Sequence, residues 1–263
     1  MTEDQVEPRA TELLQSAIVL ARRAGHAIME IYRQLDPAVE YKPDRSPVTA
    51  ADLASHRIIE AGLRRLTPDW PVLSEESQQI AFEQRRLWRN FWLVDPLDGT
   101  KEFLRRSGQF TVNVALIEGG RPVLGVVYAP GIDRLYYSAR GTGAWKIEGE
   151  RRSQIRVAPP PGVSLRIAMS RSHLSGEEHI ERFLNGSQRC EFVSLGSSLK
   201  FCLVAEGAAD IYPRLGPTME WDTAAAHCIV EEAGGSVTDL EGKLLVYNKP
   251  ALQNPGFIAR GAQ

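Results

Sequence analysis

The segment 92–103 places two aspartates where they could bind a metal ion. An apolar strand is predicted to end in Asp95, and a tight turn carries Asp98. Two carboxylates three residues apart on such a turn can converge on one point, and the Leu97 carbonyl can join them. These are hard oxygen donors of the type that Mg²⁺ selects. The segment therefore predicts a magnesium site, although Asp-Pro and Asp-Gly are also common turn dipeptides and a plain turn remains the alternative.

The short helix predicted to follow is suited to an anion. The amides of Gly99 and Thr100 would point outward at its start, where unpaired N–H groups and the helix dipole favour a phosphate oxygen. Metal ligands and an anion site would then adjoin one another in the chain. The alternative is that Thr100 is only a helix cap.

Two further acidic positions could complete the site. Glu75, which Glu76 follows, comes just after another short apolar strand, and Asp222 lies in the first turn of an Ala-rich helix. A glutamate is usually only solvated and a helix-start aspartate usually only caps, but here both could share a metal. Four clustered carboxylates would repel one another unless cations offset them. Two or three Mg²⁺ ions would do so, and a metal pair about 3.5–4 Å apart is a recurrent device in phosphate-ester chemistry.

The acidic residues must be positioned by helices and strands, and the spacing of apolar residues predicts both. Apolar residues at spacings of three and four predict an amphipathic helix over about 10–35, and Thr49 is a good cap for a second helix that runs to about Leu66. Gly119-Gly120 is predicted to join a β-hairpin. The strands predicted in this half lie at 71–74, 91–94, 110–118, 122–129, 135–138 and 144–147.

A proline-rich break at 158–162 is where we place a domain boundary. Residues 1–160 would form an N-terminal α+β domain with most metal ligands, and residues 161–263 a C-terminal α/β domain that completes the metal and substrate site. The second half is predicted to alternate strands at 164–169, 190–194, 210–212 and 236–238 with helices at 177–184, 198–206 and 220–233.

Composition excludes several classes of function. A net charge of −2, with 43% hydrophobic and 24% charged residues, fits a globular enzyme and gives no field that would favour a nucleic-acid polymer. Three cysteines without a CxxC pair fit a reduced compartment, so the expected location is the cytoplasm. No stretch approaches the ~18 apolar residues of a membrane span, and peripheral contact with the inner membrane stays open.

Zinc-ligand spacing, a GxSxG elbow and a dinucleotide fingerprint are all missing from the sequence.

As a set, these motifs resemble the inositol monophosphatase superfamily of Mg²⁺-dependent, lithium-sensitive phosphatases. Within that superfamily, Gly99-Thr-Lys-Glu-Phe103 departs from the Gly-Thr-x-Asn-Phe usual in inositol monophosphatases and resembles the 3′(2′),5′-bisphosphate nucleotidase branch, of the CysQ type. The resemblance implies a layered αβαβα sandwich, as in inositol monophosphatase and fructose-bisphosphatase, with the site between its two parts. The segments that carry it are 46–52, Glu75-Glu76, 95–100, 170–173, 195–200 and 217–222.

The resemblance implies a metal-binding role for five residues. Glu75, Asp95 and the Leu97 carbonyl would hold a first Mg²⁺, which carries the attacking water. Asp95, Asp98 and Asp222 would hold a second ion, which stabilises the leaving oxygen. A third, weaker ion would lie near Glu75.

The resemblance also implies roles in catalysis and in substrate binding. Thr100, hydrogen-bonded to Asp52, would with Glu75 help to orient and deprotonate the water. The substrate contacts implied in and around the metal site are those of Glu75, Leu97, Asp98, Gly99, Thr100 and Asp222.

For the nucleotide, the similar enzymes use a serine and a lysine three residues apart, which match Ser197 and Lys200, and an arginine that matches Arg214. His173 would contact the base or ribose. A basic pair suits the second, non-reacting phosphate of a bisphosphate. Two surface cations at a sheet edge remain the alternative for Lys200 and Arg214.

The activity implied is hydrolysis of adenosine 3′,5′-bisphosphate to AMP and phosphate, by direct in-line attack of water and without a phosphoenzyme. Cleavage of phosphoadenosine phosphosulfate and formation of a homodimer are left open. One alternative is an inositol-phosphate or fructose-bisphosphate phosphatase on the same scaffold. Another is a non-catalytic binding protein that retains the fold, against which the intact acidic set speaks.

Overall fold

The computed structural model describes residues 6–34, 39–41, 47–77, 80–159, 162–170 and 189–262. The helices are α1 (Val6–Tyr32), α2 (Ala50–Leu66), α3 (Phe82–Arg85), α4 (Thr100–Leu104), α5 (Leu199–Ala205) and α6 (Glu220–Glu232). The strands of the first half are β1 (Val39–Tyr41), β2 (Pro47–Thr49), β3 (Val72–Ser74), β4 (Asn90–Asp98), β5 (Thr111–Glu118), β6 (Arg121–Ala129), β7 (Arg134–Ala139), β8 (Ala144–Glu148) and β9 (Arg151–Ile155). Those of the second half are β10 (Ser164–Met169), β11 (Arg189–Ser194), β12 (Ile211–Arg214), β13 (Ser236–Asp239) and β14 (Phe257–Arg260).

A seven-stranded sheet runs in sequence order from β3 to β9. Strand β3 is parallel to β4, and each later pair is antiparallel. The predicted hairpin between β5 and β6 is confirmed, as are the strands that continue from it. Strand β9 was not predicted, because its sequence, Arg-Arg-Ser-Gln-Ile, is mostly polar and exposed at this edge.

The strand that delivers the first aspartates is buried on both faces. Phe91 and Leu93 of β4 pack into one core with α5 and α6, whereas Trp92 and Val94 pack into another with α1 and α2. Alternate side chains of a strand point to opposite faces, so an unbroken apolar run is what a strand in a middle layer requires. The position of β4 is thereby fixed from both sides.

Thr49 caps α2 as predicted. Its hydroxyl accepts a hydrogen bond from the Ala51 amide, and the Asp52 carboxylate accepts one in return from the Thr49 amide, at 2.7 Å. This reciprocal capping box satisfies the first amides of the helix. It also fixes the Asp52 side chain at the start of α2.

Helix α6 packs very closely against the seven-stranded sheet, on the face opposite to α1 and α2. A Cβ atom on Gly125 of β6 would lie 2.1 Å from the Ala225 carbonyl oxygen, so only glycine allows this approach. The helix presents a run of small buried residues, Ala224 to Ala226, to the sheet. Close packing of this kind holds the start of α6 at a constant distance from β4 and β5.

The second half forms a five-stranded sheet in the order β11-β10-β12-β14-β13. Strand β10 is parallel to β11 and β12, whereas β14 runs antiparallel to β12 and β13. The strand β14 was not predicted, and it makes the sheet mixed. Of the predicted helices of this half, the one at 177–184 lies outside the described residues.

Helices α5 and α6 separate the two sheets, and α1 and α2 cover the far face of the larger one. The layered sandwich predicted for the chain is confirmed, and the domain boundary at 158–162 stays a prediction. None of the helices in the described ranges is long and apolar enough to cross a lipid bilayer.

Candidate metal centre

Three of the predicted carboxylates converge between the two sheets. Asp95, Asp98 and Asp222 each offer an oxygen atom, and these oxygens all lie within 4.8 Å of one another. The first two come from the end of β4, and Asp222 comes from the first turn of α6. Asp95 is buried and the other two are half-buried. Hard oxygen donors in this arrangement could hold a divalent ion.

An irregularity in β4 lets its two aspartates meet. Asp95 lies opposite Asn113 and Asp98 opposite Thr111, and the register of the β4–β5 ladder shifts between them. Residues three apart in a regular strand face opposite sides of a sheet, whereas a bulge re-aims one of them. The tight turn predicted at Asp98 is instead this irregular end of β4, in which the Leu97 amide donates a hydrogen bond of 3.0 Å to Asp95 Oδ1.

The electrostatics of the cluster favour a bound cation. Burial raises the pKa of Asp95 well above its usual range, and the charges of Glu75, Asp98 and Asp222 raise it further. Burial also raises the pKa of Asp222 to about 8, with Asp98 as the largest contributing charge. Carboxylates kept this close in a low-dielectric interior stay ionised only beside a positive charge. The donor set and its electrostatics therefore fit a divalent metal.

Glu75 lies next to this group without being one of the three. It follows β3 directly, and its amide donates to the Val94 carbonyl at 3.1 Å. Because β3 and β4 are parallel and pair Ser74 with Val94, Glu75 follows β3 at the level of Asp95 in β4. Of the neighbouring charges, that of Glu75 raises the pKa of Asp95 most.

The structure also brings Thr100 and Asp52 together. Thr100 Oγ1 lies 3.5 Å from Asp52 Oδ1, which is long for a hydrogen bond. The other oxygen of Asp52 accepts from the amide and the hydroxyl of Thr49, both at 2.7 Å. Gly99, just before Thr100, has φ = 89°, a left-handed conformation that glycine adopts without strain.

A pocket of about 210 Å³ adjoins the carboxylates, and it is lined by two cationic side chains that were predicted to bind the substrate, Lys200 and Arg214. Lys200 is 5% exposed, and its Nζ donates to the Ser197 carbonyl at 2.6 Å. Burial lowers the pKa of Lys200 to about 8. Arg214 donates through Nη2 to the Pro217 carbonyl at 3.3 Å. Its buried Nε has no hydrogen-bond partner among the described residues. One N–H donor of this guanidinium is therefore available beside the pocket.

Ser197 lines the same pocket, and its backbone is left-handed, with φ = 52°. Its hydroxyl lies 2.6 Å from the Thr111 hydroxyl. His173 lies outside the described residues. The pocket therefore unites Ser197, Lys200 and Arg214 with the carboxylates, and the contact predicted for His173 stays a prediction.

Sequence reasoning missed several residues that touch this site. Ser198 bonds to Asp98, Asn113 bonds to Ser198, and Glu102 lines the pocket. Asn113 gave a signal that could have been used, because it is a polar residue between the apolar residues Val112 and Val114 of a buried strand, where an amide needs partners. Ser198 gave none apart from its place beside Ser197.

The similarity of this chain to known proteins extends over nearly its whole length. Residues 9–261 match the model of the inositol monophosphatase family. This chain belongs to that family. It is 54% identical to the 3′(2′),5′-bisphosphate nucleotidase CysQ of Salmonella typhimurium strain LT2 over 250 residues, which cover 93% of this chain and 98% of the relative. The corresponding Escherichia coli K12 protein is 52% identical over 249 residues, with the same coverage of both chains.

Solved structures of the inositol monophosphatase family share the fold. CysQ from Bacteroides thetaiotaomicron has a TM-score of 0.84 at 40% identity, covering 96% of this chain and 98% of the other. An IMPase from Thermotoga maritima has a TM-score of 0.78 at 28% identity, covering 95% and 92%. The family is in general metal-dependent, in keeping with an acidic cluster that could hold an ion.

Proposed function

We propose that this protein is a Mg²⁺-dependent phosphatase that hydrolyses adenosine 3′,5′-bisphosphate to AMP and phosphate. The observation that carries the proposal is the position of the Asp95, Asp98 and Asp222 carboxylates beside a pocket that also contains Lys200 and Arg214. Relatives named as 3′(2′),5′-bisphosphate nucleotidases, at 52–54% identity, support the same substrate.

The proposal assigns two or three Mg²⁺ ions to the cluster. Glu75, Asp95 and the Leu97 carbonyl would hold one, Asp95, Asp98 and Asp222 a second, and a third would lie near Glu75. When bound, such ions lower the pKa of a coordinated water and neutralise charge on the phosphoryl oxygens. The raised pKa of Asp95 supports this assignment, because a buried carboxylate cluster gains most from a cation.

Thr100 and Asp52 would orient the attacking water. The Thr100 hydroxyl can accept a proton from that water while donating its own towards Asp52 Oδ1, 3.5 Å away. Asp52 is held by Thr49 through its other oxygen, so Oδ1 keeps its direction. The amides of Gly99 and Thr100 would bind the reacting phosphate.

Lys200 and Arg214 would bind the second phosphate of the substrate. An arginine can grip a phosphate with two parallel hydrogen bonds, and a buried lysine adds a compact charge. Phosphoadenosine phosphosulfate also carries a charged group at its 5′ end, and the proposal extends to it. His173 is proposed to contact the base or ribose.

An inositol monophosphatase on the same scaffold is the second candidate, since both kinds of enzyme occur in the family. Inositol 1-phosphate has only one phosphate, so a substrate of that kind would leave Lys200 and Arg214 without a second phosphate to bind. The two cations therefore favour the bisphosphate.

A panel assay of phosphate release tests the proposal. The purified protein would be given adenosine 3′,5′-bisphosphate, inositol 1-phosphate, fructose 1,6-bisphosphate and phosphoadenosine phosphosulfate, each with Mg²⁺ and with excess chelator. We expect the highest kcat/KM with the adenosine bisphosphate and no release in chelator. A preference for inositol 1-phosphate would overturn the substrate, and release in chelator would overturn the metal.

A further inference from the structure

Ser198 occupies a position between the two elements that supply the carboxylates. It precedes α5 directly and is 2% exposed. Its amide donates to Asp98 Oδ2 at 2.7 Å, and its hydroxyl lies 2.8 Å from the same oxygen. The same hydroxyl lies 3.0 Å from the backbone carbonyl oxygen of Asp222. One side chain thus touches the end of β4 and the first turn of α6.

The usual role of a serine at this position does not account for these contacts. A serine just before a helix normally turns its hydroxyl towards the free amides of the first turn. Ser198 makes no such side-chain cap on α5. Its hydroxyl is directed to Asp98 and Asp222 instead, so the side chain serves the carboxylates rather than the helix that it precedes.

Asn113 limits the groups to which the Ser198 hydroxyl can donate. Asn113 Nδ2 donates to Ser198 Oγ at 2.8 Å, so the serine oxygen is the acceptor in that bond. A hydroxyl carries a single proton. With Asn113 on the acceptor side, that proton must point to Asp98 Oδ2 or to the Asp222 carbonyl. Asn113 itself is 1% exposed and lies opposite Asp95 in the β4–β5 ladder.

The hydrogen bonds described for Asp98 leave one of its oxygens available. The Ser198 amide, the Ser198 hydroxyl and, at 3.5 Å, the Thr111 hydroxyl all approach Oδ2. No described residue hydrogen-bonds to Oδ1. A carboxylate held through one oxygen presents the other in a fixed direction, as groups that support metal ligands commonly do.

We propose that Ser198 is a positioning residue that locks Asp98 against the first turn of α6, and that Asn113 acts through it. The link holds carboxylates from two elements at the separation that a divalent ion needs, before the ion arrives. The inference rests on the metal site of the proposed function and concerns residues to which that function assigns no role.

Metal binding without substrate tests the link. Mg²⁺ would be titrated into the wild type, Ser198→Ala and Ser138→Ala, with heat of binding as the readout. Ser138 is a matched control, because it is also fully buried and its hydroxyl bonds to Cys228 Sγ, at 3.3 Å, rather than to a carboxylate. We expect Ser198→Ala to weaken Mg²⁺ binding by about 10-fold or more. Ser138→Ala should bind Mg²⁺ as the wild type does.

The Asn113→Ala variant extends the test. If Asn113 acts only through the Ser198 hydroxyl, the double variant that combines Asn113→Ala with Ser198→Ala should bind Mg²⁺ no more weakly than Ser198→Ala alone. A further additive loss would overturn the relay from Asn113, and wild-type affinity in Ser198→Ala would overturn the positioning role. Failure of the proposed function has a different signature: Mg²⁺ binds and depends on Ser198, but the nucleotide is not hydrolysed.

Discussion

Two acidic side chains at the start of α6, only two residues apart, are treated by the fold in opposite ways. Glu220 is fully buried, and its Oε1 accepts from Lys249 Nζ at 2.7 Å. Its two oxygens also accept from the amides of Lys249 and Asn248. Asp222 lies beside Asp98 instead, and burial raises its pKa to about 8.

The difference separates a carboxylate that is paired within the chain from one that could hold a metal ion. A buried charge is costly unless it is paired and hydrogen-bonded. The protein supplies Glu220 with a cation of its own, whereas Asp222 has other carboxylates as neighbours, and Arg214 offsets them only in part. A carboxylate that is buried among its own kind stays ionised only if a cation from outside the chain binds beside it.

Of the changes to the carboxylates proposed to bind metal, Asp95→Asn should have the largest effect on turnover. Loss of a shared ligand should remove several kcal/mol of transition-state stabilisation, on the order of a thousand-fold in kcat. The metal-free protein should not be destabilised, because the change removes a buried charge and its repulsion. Turnover at saturating Mg²⁺ and urea unfolding in chelator measure the two effects. Near-wild-type turnover would contradict the metal assignment.

Glu220→Gln should have the reverse effect: it should lower the stability of the protein and leave its turnover nearly unchanged. It leaves Lys249 largely buried without its partner, which should lower the free energy of unfolding by about 3 kcal/mol. Urea unfolding measures this loss. The control is Glu241→Gln, which breaks an exposed pair with Lys243 and should cost less than about 0.5 kcal/mol. Equal losses in the two variants would remove the distinction between Glu220 and an ordinary surface charge.

Lys200→Met extends the comparison to cations. Lys249 is paired with Glu220, whereas Lys200 faces the pocket and is proposed to bind the second phosphate of the substrate. Loss of a charged hydrogen bond of about 1.5–3 kcal/mol should raise KM for adenosine 3′,5′-bisphosphate by roughly 10–100-fold. Hydrolysis of adenosine 3′-monophosphate should be unaffected, since it lacks the 5′ phosphate. An equal change in KM for both substrates would mean that Lys200 only supports the pocket.

His227, a third buried titratable group of α6, should give the smallest effect, seen as a pH dependence. Its Nδ1 lies 2.8 Å from the Tyr247 hydroxyl, and its Nε2 lies 3.2 Å from Glu231 Oε1. Burial lowers its pKa despite Glu231, and the charge of Arg121 lowers it further. Below about pH 6.5, the unfolded chain takes up a proton that the folded chain does not. His227 should therefore contribute a loss of stability as pH falls, by up to about 1.4 kcal/mol per pH unit. The raised pKa of Asp222 contributes with the opposite sign, so the His227 contribution is seen as a difference between variants.

Urea unfolding between pH 7.5 and 5.5 checks this slope. The experiment would be run with the wild type and with His227→Gln. The variant keeps a side chain that can hydrogen-bond to Tyr247 but does not titrate, so the stability of the wild type relative to the variant should fall as pH falls. An unchanged slope in the variant would assign the pH dependence to other groups.

The sequence carries enough information to predict the acidic site because its signals are local. The apolar runs before Glu75 and Asp95 predict strands, and carboxylates after adjacent parallel strands lie at the same edge. The cap at Thr49 and the helix that contains Asp222 follow from composition within a few residues. These elements were confirmed, and three of the four acidic residues form the tight group.

Other features depend on contacts that no local pattern specifies. The register shift between Asp95 and Asp98 arises only when β4 pairs with β5. The pairing of Glu220 with Lys249 joins residues 29 apart, and the Ser198–Asp98 bond spans 100 residues. Packing between distant segments decides these contacts, as it decides that the polar strand β9 adds to the sheet.

A crystal structure with Mn²⁺, read by its anomalous signal, tests the central claim most directly. Mn²⁺ prefers the same hard oxygen ligands as Mg²⁺ and can be located without ambiguity. We predict anomalous peaks bound by the Asp95, Asp98 and Asp222 carboxylates. A carboxylate cluster that stays empty at millimolar Mn²⁺, whether or not peaks lie elsewhere, would contradict the account.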